Sequence, residues 1–167
     1  SGAVYSTATP GPGYAWVVTG GSITSGAGTN TINVHWGPAG AGTVTLTETN
    51  GFGCDSTVSI NVTIDPKPTP VIVGPTTFCE LSDAVYSTAT PGPGYAWVVT
   101  GGSITSGAGT NTINVHWGPA GAGTVTLTET NAAGCDSTVS INVTIDPKPT
   151  PVIAGPTTFC ELSSGAV

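Results

Sequence analysis

Apolar and polar residues alternate along most of the chain with a period of two. Val139, Ile141, Val143 and Ile145 are spaced by Ser140, Asn142 and Thr144, and Val125 and Leu127 stand between Thr124, Thr126 and Thr128. Side chains on a strand point to opposite faces in turn, so each row predicts a strand with one buried face. Ile113, Val115 and Trp117 form a third row, with Asn114 and His116 facing the other way. Tyr95, Trp97 and Val99 form a fourth. Short strands at 84–87 and 103–105 and an opening strand over 71–78 bring the total to about seven, divided by turns such as Pro91-Gly92-Pro93-Gly94 and Gly118-Pro119-Ala120-Gly121. No segment has helical spacing. This many short strands in roughly 80 residues, with a tryptophan on the third, predicts an all-β, immunoglobulin-like β-sandwich.

The chain is also its own near copy. At an offset of 81, residues 3–82 match 84–163 except at Gly51/Ala132, Phe52/Ala133 and Val73/Ala154. A unit of about 80 residues can close its own small core, so tandem beads of about 81 residues are expected rather than a solenoid. Asp65-Pro66-Lys67-Pro68-Thr69-Pro70 and its copy Asp146-Pro147-Lys148-Pro149-Thr150-Pro151 hold alternating prolines, which fix φ and favour an extended spacer. The expected boundaries are a bead lacking its first strand over 1–65, a linker at 66–70, a complete bead over 71–146, a linker at 147–151, and the first strand of a following bead over 152–167. The opening Ser1-Gly2-Ala3-Val4 and closing Ser164-Gly165-Ala166-Val167 overlap, which reads as a window on a longer periodic chain.

Composition narrows the function classes. Glycine (25) and proline (14) make up nearly a quarter of the 167 residues, which excludes a mostly helical chain. Two basic residues against nine acidic ones give a formal charge of −7, so a polyanion would meet almost no counter-charge. No nucleic acid partner is expected. There is no run of 18 apolar residues, and no membrane insertion is expected.

The runs Gly74-Pro75-Thr76-Thr77-Phe78-Cys79, Tyr95-Ala96-Trp97-Val98-Val99-Thr100-Gly101-Gly102, Val115-His116-Trp117-Gly118 and Thr130-Asn131-Ala132-Ala133-Gly134-Cys135 together resemble the PKD-like immunoglobulin-fold modules. Such modules recur in very large secreted surface proteins of Bacteroidetes-type bacteria. The resemblance covers essentially the whole repeat and implies fold and an extracellular, cell-surface location. It implies a spacer role and no activity.

Each repeat carries two cysteines, Cys54 and Cys79, then Cys135 and Cys160, without the Cys-x-x-Cys spacing of a metal site. They read as an oxidised extracellular framework. Between Cys54 and Cys79 lie a strand and a proline linker that both run outward, so that pair would have to fold back. Cys79 with Cys135 would instead join the first strand of a bead to the start of its last, closing a loop of about 56 residues worth roughly 4 kcal/mol in the chain-entropy model. An intra-bead Cys79–Cys135 bond is therefore expected. Cys54 and Cys160 are left for flanking repeats or chains.

Other candidate chemistry is sparse. Asn61-Val62-Thr63 and Asn142-Val143-Thr144 are N-glycosylation sequons whose asparagines fall on the outward parity. Asp55-Ser56-Thr57 and Asp136-Ser137-Thr138 are similar to O-glycosylation sites of the suggested bacterial group, which would place glycan on Ser56 and Ser137. His35 and His116 have no second histidine within the repeat, and its carboxylates are scattered, so neither a triad nor a zinc site is expected. No Asp-x-Asp-x-Asp-Gly loop supports calcium. Trp97 and Trp117 could stack on sugars, yet their inward parity makes them core, while Tyr86 and Phe52 are less constrained.

These readings predict a non-enzymatic, cofactor-free extracellular fibre or stalk whose partner is itself, with covalent glycans as additions. In one version the polypeptide continues as a string of beads. In the other, the segment from Val152 and Ile153 through Phe159 to Cys160 completes the truncated bead of the next molecule by strand addition, a head-to-tail contact that propagates. The alternative function is an adhesin or carbohydrate-binding array.

Overall fold

A computed structural model describes residues 2–8, 11–89, 92, 94–158 and 160–161. These residues form β1 (Gly2–Ser6), β2 (Gly13–Thr19), β3 (Gly21–Ser25), β4 (Thr31–Trp36), β5 (Gly40–Thr49) and β6 (Asp55–Ile64) in the first bead. The second bead contributes β7 (Thr77–Cys79), β8 (Asp83–Ser87), β9 (Gly94–Thr100), β10 (Gly102–Ser106), β11 (Thr112–Trp117), β12 (Gly121–Thr130) and β13 (Asp136–Asp146). The first bead pairs its strands as β1-β4-β3 and β2-β5-β6, and the second as β10-β11-β8 and β7-β13-β12-β9. No strand runs through 65–72, where three prolines remove ladder donors.

The alternation read from the sequence decides what lies between the sheets. In the second bead, Tyr86 on β8, Ile113, Val115 and Trp117 on β11, and Val125 and Leu127 on β12 are completely buried, with Val143 and Ile145 of β13 beside them. Residues from both sheets thus share one core, as in an immunoglobulin-like sandwich. The opposite parity carries hydroxyls paired across strands, including Thr126 with Ser140 and Thr128 with Thr138, each at 2.8 Å. Cross-strand pairs of this kind suit a solvated sheet face. Gly107 closes the turn after β10 at φ 81°, where a Cβ would collide with the carbonyl of Thr112.

The opening segment of the second bead is the departure from simple alternation. The sequence predicts one strand over 71–78, but the segment pairs twice, with different neighbours. Val73 bridges Ser87 at the edge of β8 through hydrogen bonds of 2.8 and 2.9 Å. The chain then crosses to the other sheet, where Thr77, Phe78 and Cys79 lie parallel to Thr144, Ile145 and Asp146. Gly74-Pro75 makes the crossing. Proline has no N–H to place in a ladder, and a Cβ on Gly74 would penetrate the Tyr86 ring. The Tyr86 hydroxyl donates to the Pro75 carbonyl at 2.9 Å, and Phe78 packs 6.1 Å from Trp117 and 6.4 Å from Tyr86.

Phe78 therefore closes the open side of the core. Truncating a buried phenylalanine costs about 3–5 kcal/mol, and somewhat less where the ring is only half-buried. Phe78→Ala should lower the stability of the second bead by about 2–4 kcal/mol in denaturant titrations followed by tryptophan fluorescence. An unchanged midpoint would contradict this packing.

Candidate functional site

Subtracting 81 from each residue number in the second bead exposes the feature that sets the first bead apart. Among the described residues, the first bead has no counterpart of the segment 71–79. Its core is uncovered where that segment would lie. Val58 and Ile60 on β6 are 61% and 48% exposed, whereas their equivalents Val139 and Ile141 pack partly buried against the core of the second bead. Tyr5 is half-buried where its equivalent Tyr86 is fully enclosed.

Two openings mark the path of the absent segment. A groove of about 360 Å³ is lined by Tyr5, Trp16, Leu46, Val58 and Ile60. A second opening of about 190 Å³ is lined by Trp36, Val62 and Ile64, with Ala133 and Cys135 of the second bead at its side. The strand order ends on β6 in one sheet and on β1 in the other, so both edges that flank the openings carry unpaired backbone groups.

The same chain carries a copy of the segment that fills the equivalent place in the second bead. Residues 155–160 repeat Gly74-Pro75-Thr76-Thr77-Phe78-Cys79 letter for letter. Within the described part of this stretch no strand forms, Val152 and Ile153 are 89% and 99% exposed, and Gly155 has open space around it. Phe159 lies outside the described residues.

The beads meet at a polar junction. Asn131 accepts hydrogen bonds from the backbone N–H groups of Ala133 and Cys135 at 3.0 and 2.9 Å, which fixes the loop before β13. Its amide donates to the carbonyl of Pro66 at 2.8 Å, and the Cys135 sulfur lies 3.9 Å from the carbonyl of Asp65. At the far end of the second bead, Glu80 spans two elements: its carboxylate accepts from the N–H of Lys148 in the linker and of Ala120 in a turn, both at 3.1 Å. These backbone hydrogen bonds hold its pKa below the ordinary carboxylate value.

The expected Cys79–Cys135 bond is overturned by the register. Cys79 sits beside Asp146, the last residue of β13, and Cys135 immediately precedes its first residue. At about 3.3 Å per residue, some 35 Å of strand separates them. A disulfide requires Cα atoms closer than about 7 Å. The expectation assumed that the first strand brings its cysteine to the start of the last, and parallel pairing brings it to the end. All four cysteines are thiols in this structure, Cys135 half-buried and the other three exposed.

The remaining candidates are dispersed. Asn61 and Asn142 are exposed on the outward face, whereas Ser56 and Ser137 have the inward parity of Val58 and Val139, Ser56 exposed and Ser137 half-buried. His116 Nδ1 lies 2.7 Å from the Asp83 carboxylate in an exposed pair. His35 faces Gly2 at the corresponding position, so the two histidines differ in surroundings. Among the described residues no three His, Cys, Asp or Glu side chains gather as a metal site would need. Trp97 and Trp117 are core residues, and Tyr86, which the sequence left unconstrained, is the most enclosed ring beside them. Phe52 is 95% exposed on the loop matching 131–135. Sequence reasoning missed Asn131, and weighed Glu80 only as a scattered carboxylate and, with Asp146, as a calcium ligand at a junction. Their signal was their place beside the turns and linkers that join the beads.

The model of the PKD-like domain family matches residues 1–63 and again 65–143. The chain belongs to the PKD-like domain family. Solved structures similar to it include a protocadherin gammaB7 EC3-6 cis-dimer, with 11% identity and a TM-score of 0.34 over 83% of this chain and 41% of that one. The human desmocollin-1 ectodomain is similar with 14% identity and a TM-score of 0.33 over 85% of this chain and 31% of that one. The chain thus spans less than half the length of either. A search of the curated proteins returned no match.

Glu80 supplies a pH test of the PKD-like junction. A carboxylate whose folded pKa is depressed contributes its full stabilisation above the unfolded value, near 4.5, and loses it as pH falls through the lowered value. The amide resonances of Lys148 and Ala120 should therefore titrate together, with a midpoint below 4.5, and Glu80→Gln should remove that titration. A midpoint above 4.5 would refute the clasp.

Proposed function

We propose that this protein is an extracellular structural subunit that polymerises head to tail, the segment 152–160 of one copy completing the first bead of the next. The observation that carries the reading is the match between an open edge and an unpaired strand of fitting sequence within one chain. Ile153 would occupy the larger opening, as Ile72 packs on the core of the second bead. Phe159 would reach Trp36 in the smaller one, as Phe78 reaches Trp117. Parallel alignment with β6 would set Thr158, Phe159 and Cys160 beside Thr63, Ile64 and Asp65, by the register of β7 on β13. Burying two such side chains is worth about 1.5–3 kcal/mol each, and backbone pairing adds to it.

The junction so formed would copy the one inside the chain, because the linker 147–151 leads into the donated strand as 66–70 leads into the opening segment of the second bead. Head-to-tail contacts that do not close build an open filament. The exposed Phe52 sits on the loop that would meet the preceding molecule. Outward-facing Asn61 and Asn142 leave the contact free to form with glycan attached, whereas Ser56 lies on the groove side of β6 beside Val58, and intact mass gives the occupancy of each. With Trp97 and Trp117 inside the sandwich, the sugar-stacking alternative loses its aromatic platform.

Purified native material should form filaments in electron micrographs and run near 16.3 kDa under reducing, denaturing conditions. A very large reduced species would establish a continuous string of beads instead. Gly155→Val should abolish growth, since the side chain would strike Tyr5 as one on Gly74 would strike Tyr86. A synthetic peptide of residues 152–161 should cap wild-type growth. Filaments from the Gly155→Val chain would refute strand addition.

A further inference from the structure

The register that excludes a bond within the bead places the cysteines for a bond across the junction. In the second bead the first-strand cysteine, Cys79, lies abreast of Asp146. The matching position in the first bead is Asp65, and the Cys135 sulfur already stands 3.9 Å from its carbonyl oxygen. Cys135 and Ala133 also line the opening formed by Trp36, Val62 and Ile64, which is where the end of a donated strand arrives. A strand docked in the register of β7 would carry Cys160 to Asp65 at a Cα separation of about 4.8 Å, the ordinary inter-strand spacing. That brings it within disulfide reach of Cys135.

We propose that Cys160 of one copy bonds Cys135 of the copy whose first bead it completes, and that Cys79 of the donor bonds Cys54 of the same acceptor. The second pair follows from the first by the 81-residue offset: Cys79 stands at Asp146 as Cys160 would stand at Asp65, and Cys54 occupies the loop position of Cys135. Asn50 shapes that loop as Asn131 does, accepting from the N–H groups of Phe52 and Cys54 at 2.9 and 3.0 Å. Both partners of this pair are exposed at free ends of the isolated chain, whereas Cys135 is half-buried at a junction that is already formed. Each head-to-tail contact then holds two disulfides.

The inference rests on the strand-addition reading. Each bond forms as two thiols lose two protons and two electrons to a low-molecular-weight disulfide, which is cleaved to two thiols. Docking supplies proximity, so oxidation follows assembly and locks it.

The test uses the full chain assembled with oxidised glutathione and cleaved before aspartate. Cuts before Asp55, Asp65, Asp83, Asp136 and Asp146 leave each cysteine on its own peptide, and the differences at 51, 52 and 73 give the repeats distinct masses. Linked peptides 146–167 with 83–135, and 65–82 with 1–54, are expected, together with a ladder in multiples of 16.3 kDa that reductant collapses. Cys160→Ala should remove the first link and keep the second. A chain with all four cysteines changed to alanine should still form filaments, which come apart in denaturant. Filaments whose cysteines stay reduced, or are linked as 79 with 135, would overturn the pairing while leaving strand addition intact. Loss of filaments from the wild-type and cysteine-free chains alike would overturn both.

Discussion

The parallel contact between a bead's opening segment and its last strand is the constraint on which the structure turns. It seats Phe78 against Trp117 and Tyr86, closes one side of the core and directs the chain into the next strand through Glu80 and Leu81. Leu81 takes a left-handed φ of 55°, uncommon for a side chain with a Cβ, and its N–H reaches the carbonyl of Gly118 at 3.1 Å. Where the segment is present, three aromatic rings enclose one another. Where it is absent, in the first bead, valine and isoleucine side chains that should be interior face water.

On the proposed strand addition, that contrast is what would make the first bead a specific recognition surface. An exposed apolar groove flanked by unpaired strand edges invites association with many partners. Here the groove has a narrow shape requirement: glycine must pass over Tyr5, proline must follow where no ladder donor is needed, and an aromatic ring must end against Trp36. Residues 155–160 meet it because they are the sequence of 74–79. On the proposed reading, selectivity for self would come from the repeat, without any contact that had to arise separately.

The fold was legible because alternation reports which face of a strand is buried, and Val125, Leu127, Val143 and Ile145 obeyed it. Six of the seven strands of the second bead follow the rows read from the chain, and the opening segment, expected as one strand over 71–78, is the exception. The cysteine pairing was not legible, because a row of alternating residues has no arrow: nothing in Val71–Phe78 or Val139–Ile145 states whether two strands run the same way. Direction is set by the Gly74-Pro75 crossing, whose meaning depends on the Tyr86 ring beneath it. The roles of Asn131 and Glu80 were not legible for a related reason, since their partners are backbone groups of linkers about 65 residues away in sequence, beyond any local pattern.

Apart from Gly2/Asp83 at the start of a strand, the described repeats differ at three positions, which bear on the proposed strand addition. All fall in the junction loop or the opening segment, and none in the shared core. At the junction inside the chain, Ala133 lines the opening that a donated phenylalanine would enter on this reading, and a bulkier side chain would obstruct it. Its equivalent, Phe52, projects from the outer end of the first bead, toward a neighbour whose matching place is already filled by its own Phe78. A large side chain there adds contact without blocking entry. Val73 belongs to a segment held in place by its own chain, whereas Ala154 belongs to one that, on the proposed reading, would slide into a preformed groove, where the smaller side chain would meet less resistance. The differences between the copies thus gather where beads meet, and the core that each bead closes for itself is left unchanged.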